Sequence, residues 1–154
     1  AQREYALQRG IKLMVWTFDP LQSRNAYLNL IKLGGVVRKY YANYYGQYST
    51  SVLHRGLDTD RLLLEWWLDA PHVQAVAQGE VVSRKDGDLI TTVDVPFDIE
   101  QIKAQSMEEA QQWQAKIRTA FQQHFAAGLY CAGFVRGDNT TPSTYLFFRD
   151  QATK

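Results

Sequence analysis

Between Ile11 and Gly35 the chain changes its hydrophobic period once, and that junction constrains the fold more than any other feature. Ile11 to Phe18 runs apolar, β-branched and aromatic with little alternation, the pattern of a strand covered on both faces and central in its sheet. Asp19-Pro20 breaks the run. Ser23 then stands where an N-cap belongs, and Ala26, Tyr27, Leu30 and Leu33 recur at helical spacing until Gly34-Gly35. Upstream, Ala1 to Arg9 are good helix formers stopped by Gly10. A strand, a turn and a helix in that order place polar side chains at the carboxyl edge of a sheet, where ligands commonly bind.

Val36 to Tyr41 is a second strand, leading into an aromatic loop, Tyr44-Tyr45-Gly46-Gln47-Tyr48, whose rings and hydroxyls make it a candidate pocket wall. Arg61 to Leu68 is a third strand, and Pro71 suits the first turn of a helix running to Gln78. Val81 to Arg84 and Leu89 to Val95 flank Lys85-Asp86-Gly87-Asp88, whose Asp-Gly pair favours a hairpin turn. Ser106-Met107-Glu108-Glu109 is a capping-box pattern, and Met107, Ala110, Trp113, Ile117, Phe121 and Phe125 recur at helical spacing as far as Gly128. Leu129 to Val135 and Thr144 to Phe148 follow as antiparallel strands joined through Gly137-Asp138-Asn139. The expectation is an α/β (α+β) fold with a mixed, largely antiparallel sheet flanked by helices. No internal repeat can be stated residue by residue, and residues 1–154 read as one domain.

Charge and cysteine content narrow the functional classes. Seventeen basic against sixteen acidic residues, with no basic block, provide no nucleic-acid footprint. No run reaches the length of a membrane span and no signal-peptide pattern is present, so no membrane partner and a cytoplasmic location are expected. The single cysteine, Cys131, sits among apolar neighbours and reads as packing rather than as a nucleophile. His54, His72 and His124 lack metal-ligand spacing, and no metal is expected.

The polar residues of the junction are the candidate site. Asn25 and Asn29 are four apart, on one face of a regular helix, and present their amides either to one ligand or to local backbone. The phrase from Trp16 through Asp19-Pro20-Leu21-Gln22-Ser23-Arg24-Asn25-Ala26-Tyr27 to Gly34 resembles the third conserved segment of the GNAT superfamily of acyl-CoA-dependent N-acyltransferases, and in particular a branch of predicted acetyltransferases. Asp60-Arg61-Leu62-Leu63 and Glu65-Trp66-Trp67 extend the likeness over residues 1–69, leaving 70–154 as a C-terminal extension.

The resemblance implies a GNAT-like fold, acetyl-CoA or another acyl-CoA as co-substrate, and a small-molecule amine as acceptor. It also implies that the Gly-rich phosphate loop belongs upstream of Ala1, so that the fold is incomplete at its N-terminus and the chain alone is inactive. Ser23, Asn25 and Asn29 become the cofactor-side candidates, and Trp16, Tyr44 and Tyr45 the substrate-side ones. Many relatives carry a tyrosine four residues before the helix-ending glycine, as the acid that protonates the leaving thiolate; here that position is Leu30, and Tyr27 is the substitute. Glu65, a carboxylate within an apolar strand, is the candidate base, since burial favours its neutral form. The missing tyrosine also admits a second reading, a non-catalytic ligand- or protein-binding module on the same fold.

Overall fold

The structure, a computed structural model, describes residues 2–44, 56–80 and 87–150. In chain order the elements are α1 (Gln2–Gln8), β1 (Leu13–Phe18), α2 (Ser23–Tyr27) continued by a π-helical segment (Leu28–Lys32), β2 (Val36–Tyr41), β3 (Arg61–Trp67), α3 (Pro71–Ala77), β4 (Thr91–Val95), α4 (Ile99–Gln105), α5 (Met107–Ala126), β5 (Leu129–Val135) and β6 (Ser143–Arg149). The six strands form one sheet in the order β1-β3-β2-β5-β6-β4, and every described pairing is antiparallel. The fold is therefore α+β, and the parallel component expected of a mixed sheet is absent among the described strands: β3 inserts between β1 and β2, and β6 between β4 and β5.

Three local expectations are corrected. β1 is an edge strand, not a central one; Val15 is 51% exposed, and its apolar run reflects an edge that leaves hydrophobic side chains uncovered. The N-cap of α2 is Gln22, with extended backbone and no side-chain cap bond, while Ser23 lies inside the helix with its hydroxyl turned into the core. The helix does not continue as a regular α-helix to Gly34: the Leu33 N–H donates to the Leu28 carbonyl, an i to i+5 bond that widens the last turn. α4, which the hydrophobic pattern did not reveal, is capped by Asp98, whose carboxylate accepts from the Glu100 and Gln101 N–H groups. β4 pairs with β6, and the other arm of the expected Lys85-Asp86 hairpin lies outside the described residues.

The strand order reads the same from either end, because the chain contains two β-α-β-β units. In each, the first strand pairs with the third and the third with the second, and the units meet through β2 and β5 at the pair Val37–Cys131. Each of these strands carries its bulge at the next residue, Arg38 in one and Ala132 in the other. Counting back equally from Val37 and Cys131 matches Gly34 with Gly128, both at positive φ (79° and 84°), and Tyr27 with Phe121.

One hydrophobic cluster draws on both units: Leu21, Ala26, Leu30, Leu62 and Leu64 from the first, and Ile117, Phe121, Tyr145 and Phe147 from the second. Phe121 is its hub, with ring centroids 5.0 Å from Tyr145, 5.0 Å from Phe147 and 5.6 Å from Tyr40. Aromatic pairs of this kind add ~1 kcal/mol each beyond area burial. A polar clasp joins the units as well. Asp60, fully buried at the start of β3, accepts from Tyr40 Oη, from the Asn43 N–H (2.8 Å) and from Arg118 Nε (2.9 Å) and Nη2 (2.7 Å) on α5, while Asp58 takes Arg118 from outside (2.7 Å). All of Asp60's strong acceptor positions are thereby satisfied, as a buried carboxylate requires.

Candidate functional site

Two indoles fix the helix that follows β1. Trp16 Nε1 donates to Asn29 Oδ1 (3.3 Å), and Trp66 Nε1 donates to the Leu33 carbonyl (2.9 Å), one of the acceptors a helix end leaves unpaired. The two rings meet edge to face with centroids 5.7 Å apart. At the other end of α2, Ser23 Oγ and Ser143 Oγ lie 2.7 Å apart, and the Gly137 N–H donates to Ser143 Oγ (2.9 Å). Tyr145 Oη donates to the Pro20 carbonyl (2.6 Å), so the second unit holds the turn at which β1 ends. Beside that turn, burial pushes the Asp19 carboxyl above its usual range; the Leu21 N–H (2.9 Å) and the charge of Arg61 oppose the shift only in part.

These contacts distribute the candidate residues rather than gathering them. Trp16 and Asn29 are bonded to each other, and Asn29 is buried while Asn25 is exposed, so the two amides do not share one surface. Ser23 is spent on Ser143 in the interior. Tyr44 is 44% exposed and stacks on Tyr41 with centroids 5.4 Å apart; its N–H donates to the Thr59 carbonyl (2.8 Å). Tyr45 lies outside the described residues. Glu65 sits on the sheet face opposite the one that Leu62 and Leu64 bury under the helices. There its Oε1 accepts from Arg38 Nη1 (2.5 Å) and Trp67 Nε1 (3.0 Å), and Arg38 also donates to Asp150 (2.8 Å). Tyr27 packs against the core on the helix side and lines a cleft with β5, which stands three strands from β1 in the sheet. Glu65 and Tyr27 thus stand on different faces, and no described constellation joins them.

Two features with chemical potential remain. The first is the outer edge of β1. The Leu68 N–H donates to the Lys12 carbonyl, which makes Lys12–Leu68 a hydrogen-bonded pair and, by alternation, turns the peptide groups of Leu13, Val15 and Thr17 outward. No described strand pairs with that edge. The second is a cleft of about 500 Å³ where β2 and β5 part beyond Val37–Cys131. Tyr27, Ile31 and Lys32 of the helix form one wall; Ala132, Gly133, Leu146 and Phe148 form another; His72, Val76 and Glu80 close the α3 end. Tyr27 was legible in the sequence but this cleft was not, because β5 and α3, which complete it, are distant from the helix along the chain. Arg136, whose guanidinium carbon lies 5.6 Å from the Tyr27 ring centroid and 5.8 Å from that of Phe97, lines a separate cleft with Gln22, Ser23, Phe97, Asp98 and Glu100, and the sequence did not single it out. Among the described residues no His, Cys, Asp or Glu cluster fits a metal ion, and no helix is long and apolar enough to cross a membrane.

No family model, curated protein or solved structure matches the chain.

Proposed function

We propose that the chain forms one wall of an acyl-CoA-dependent N-acyltransferase. The observation that supports this reading is the free edge of β1 followed at once by the turn and helix: outward peptide groups at Leu13, Val15 and Thr17 have the spacing to bond an extended amide-bearing chain such as pantetheine, with the exposed Asn25 amide on the helix that follows. In the reaction the acceptor's neutral amine attacks the thioester carbonyl, the C–S bond breaks, the amine proton leaves to a base, and the CoA thiolate takes a proton from an acid or water. The wall described supplies binding and orientation to that reaction, not its acid and base.

Calorimetric titration with acetyl-CoA tests the reading, both in the chain and in the longest reading frame that contains it. Saturable binding in at least one of the two, weakened about five-fold by Asn25→Ala, the loss of one hydrogen bond, is the expected result. Absence of saturable heat in both proteins removes the proposal.

A second reading, a binding module without catalysis, is favoured by one observation: Tyr27 packs against the helix-side core while Glu65 points to the other face of its strand, ion-paired to Arg38. Release of free thiol from acetyl-CoA, followed with a chromogenic disulfide over a panel of amines, separates the two. Acceptor-dependent thiol release excludes the module; binding without release favours it.

A further inference from the structure

The two ends of the described sheet are built differently. β4, at one end, carries a charge within the strand: Asp94 is exposed and accepts a hydrogen bond from Thr144 Oγ1 (3.1 Å). A charged side chain there opposes pairing with a further strand. β1, at the other end, has no such guard. From Leu13 to Phe18 it holds no charged residue and no proline, and its register with β3 runs unbroken by any bulge. Natural edge strands are blunted by these devices, and one that lacks them is a template for another chain.

The side chains of β1 leave apolar surface on both faces. Leu13 and Val15 are exposed on the face away from the helices, beside the exposed Trp67 that pairs with Leu13. On the helix face Met14 and Trp16 are only partly buried against the cluster of Ala6, Trp66, Leu68 and Val73. A strand added along the edge borders all four, whereas an extended ligand such as pantetheine has no side chains to lie against either face. The charges beyond the strand ends favour a copy of β1 itself. Lys12 precedes the strand and Asp19 follows it, so an antiparallel copy sets each Lys12 beside the other's Phe18-Asp19. The outward peptide groups are symmetric about Val15: Val15 meets Val15 of the second copy as a hydrogen-bonded pair, Leu13 meets Thr17 on either side of it, and Met14 meets Trp16. Glu65, the neighbour of Val15 on β3, is already paired with Arg38 and adds no unpaired carboxylate beside the axis.

We propose that β1 is the docking edge for a second copy of this chain: two β1 strands pair antiparallel about Val15 and join two six-stranded sheets across a two-fold axis. The proposal does not rest on the acyltransferase reading, but it claims the same peptide groups, so a paired β1 excludes pantetheine from the edge. Sedimentation velocity of the full chain without acetyl-CoA, at tens of micromolar, is expected to show a dimer. Val15→Lys sets two ammonium groups opposite each other at the axis, on a side chain that is exposed in the single chain. It is expected to weaken association about ten-fold or more with the far-ultraviolet spectrum kept. A short bismaleimide cross-linker tests the register. On Val15→Cys, where the paired Cβ atoms lie about 5 Å apart, it is expected to trap a covalent dimer, and on Val135→Cys, exposed on β5, it is not. The native Cys131 is buried and serves neither reaction. A monomer in sedimentation overturns the proposal, as does a dimer equally stable with Val15→Lys, or cross-linking no faster at position 15 than at 135. Acetyl-CoA is absent from all three measurements, so their failure leaves the calorimetric test of acyl-CoA binding standing.

Discussion

At the scale of single residues, His124 sets a pH dependence on the fold. It packs edge to face on Phe147, with centroids 4.9 Å apart, and burial lowers its pKa from the ordinary 6.5. A histidine whose folded value lies below its unfolded value contributes fully above pH 6.5 and loses stability as pH falls from there through the folded value, because the unfolded chain takes up the proton more readily. Urea midpoints are therefore expected to fall between about pH 7 and pH 5.5, and His124→Gln to flatten that slope; an unchanged slope assigns it to other groups. The residues picked from the sequence show why types and spacings alone did not define a site. The four-residue spacing of Asn25 and Asn29 does not put them on one surface, because Asn29 already lies in the π-helical segment that begins at Leu28 and the indole of Trp16 bonds it inward. Glu65 is largely buried, with 15% of its side chain exposed, as expected of a carboxylate within an apolar strand, but Arg38, which pairs with it, lies on another strand at its bulge. Neither event leaves a trace in local sequence.

At the scale of elements, the two glycines that end the equivalent helices make a matched pair. Gly34 and Gly128 both adopt positive φ, where an L-residue pays ~1–2 kcal/mol. A Cβ on Gly128 meets nothing within 4 Å, whereas one on Gly34 comes to 3.1 Å from His72 Cδ2 of α3. Gly128→Ala is expected to cost only the conformational term, and Gly34→Ala measurably more, by equilibrium urea unfolding; equal costs mean that α3 yields freely. Most strands and the long α5 were legible, because period, caps and breakers are local: Ser106 accepts from the Glu109 N–H as its capping pattern requires. The position of β1 was not legible. An apolar run is common to a buried central strand and to an edge that leaves its hydrophobic face open, and only pairing distinguishes them.

At the scale of the whole molecule, the doubling was hidden because the two units preserve geometry rather than side chains. Gly34 and Gly128 agree, and Tyr27 and Phe121 are alike, but Arg38 faces Ala132 and Glu65 faces Phe148 across the relation, an ion pair in one unit standing for an apolar contact in the other. The units nevertheless share one core and one clasp, and this predicts how the chain unfolds. Arg118 on α5 holds Asp60 of β3, and its removal leaves a fully buried carboxylate with only Tyr40 and the Asn43 N–H, at a cost of about 3 kcal/mol. Three of the four tryptophans, Trp16, Trp66 and Trp67, belong to the first unit, and Trp113 lies on α5. In a Trp113→Phe background, fluorescence therefore reports the first unit, while far-ultraviolet dichroism is dominated by the twenty-residue α5 of the second. If the shared core couples the units, Arg118→Ala lowers both midpoints together and the two probes remain coincident. Separation of the midpoints, with fluorescence changing first, would instead mean that the clasp and not the core makes the two units one.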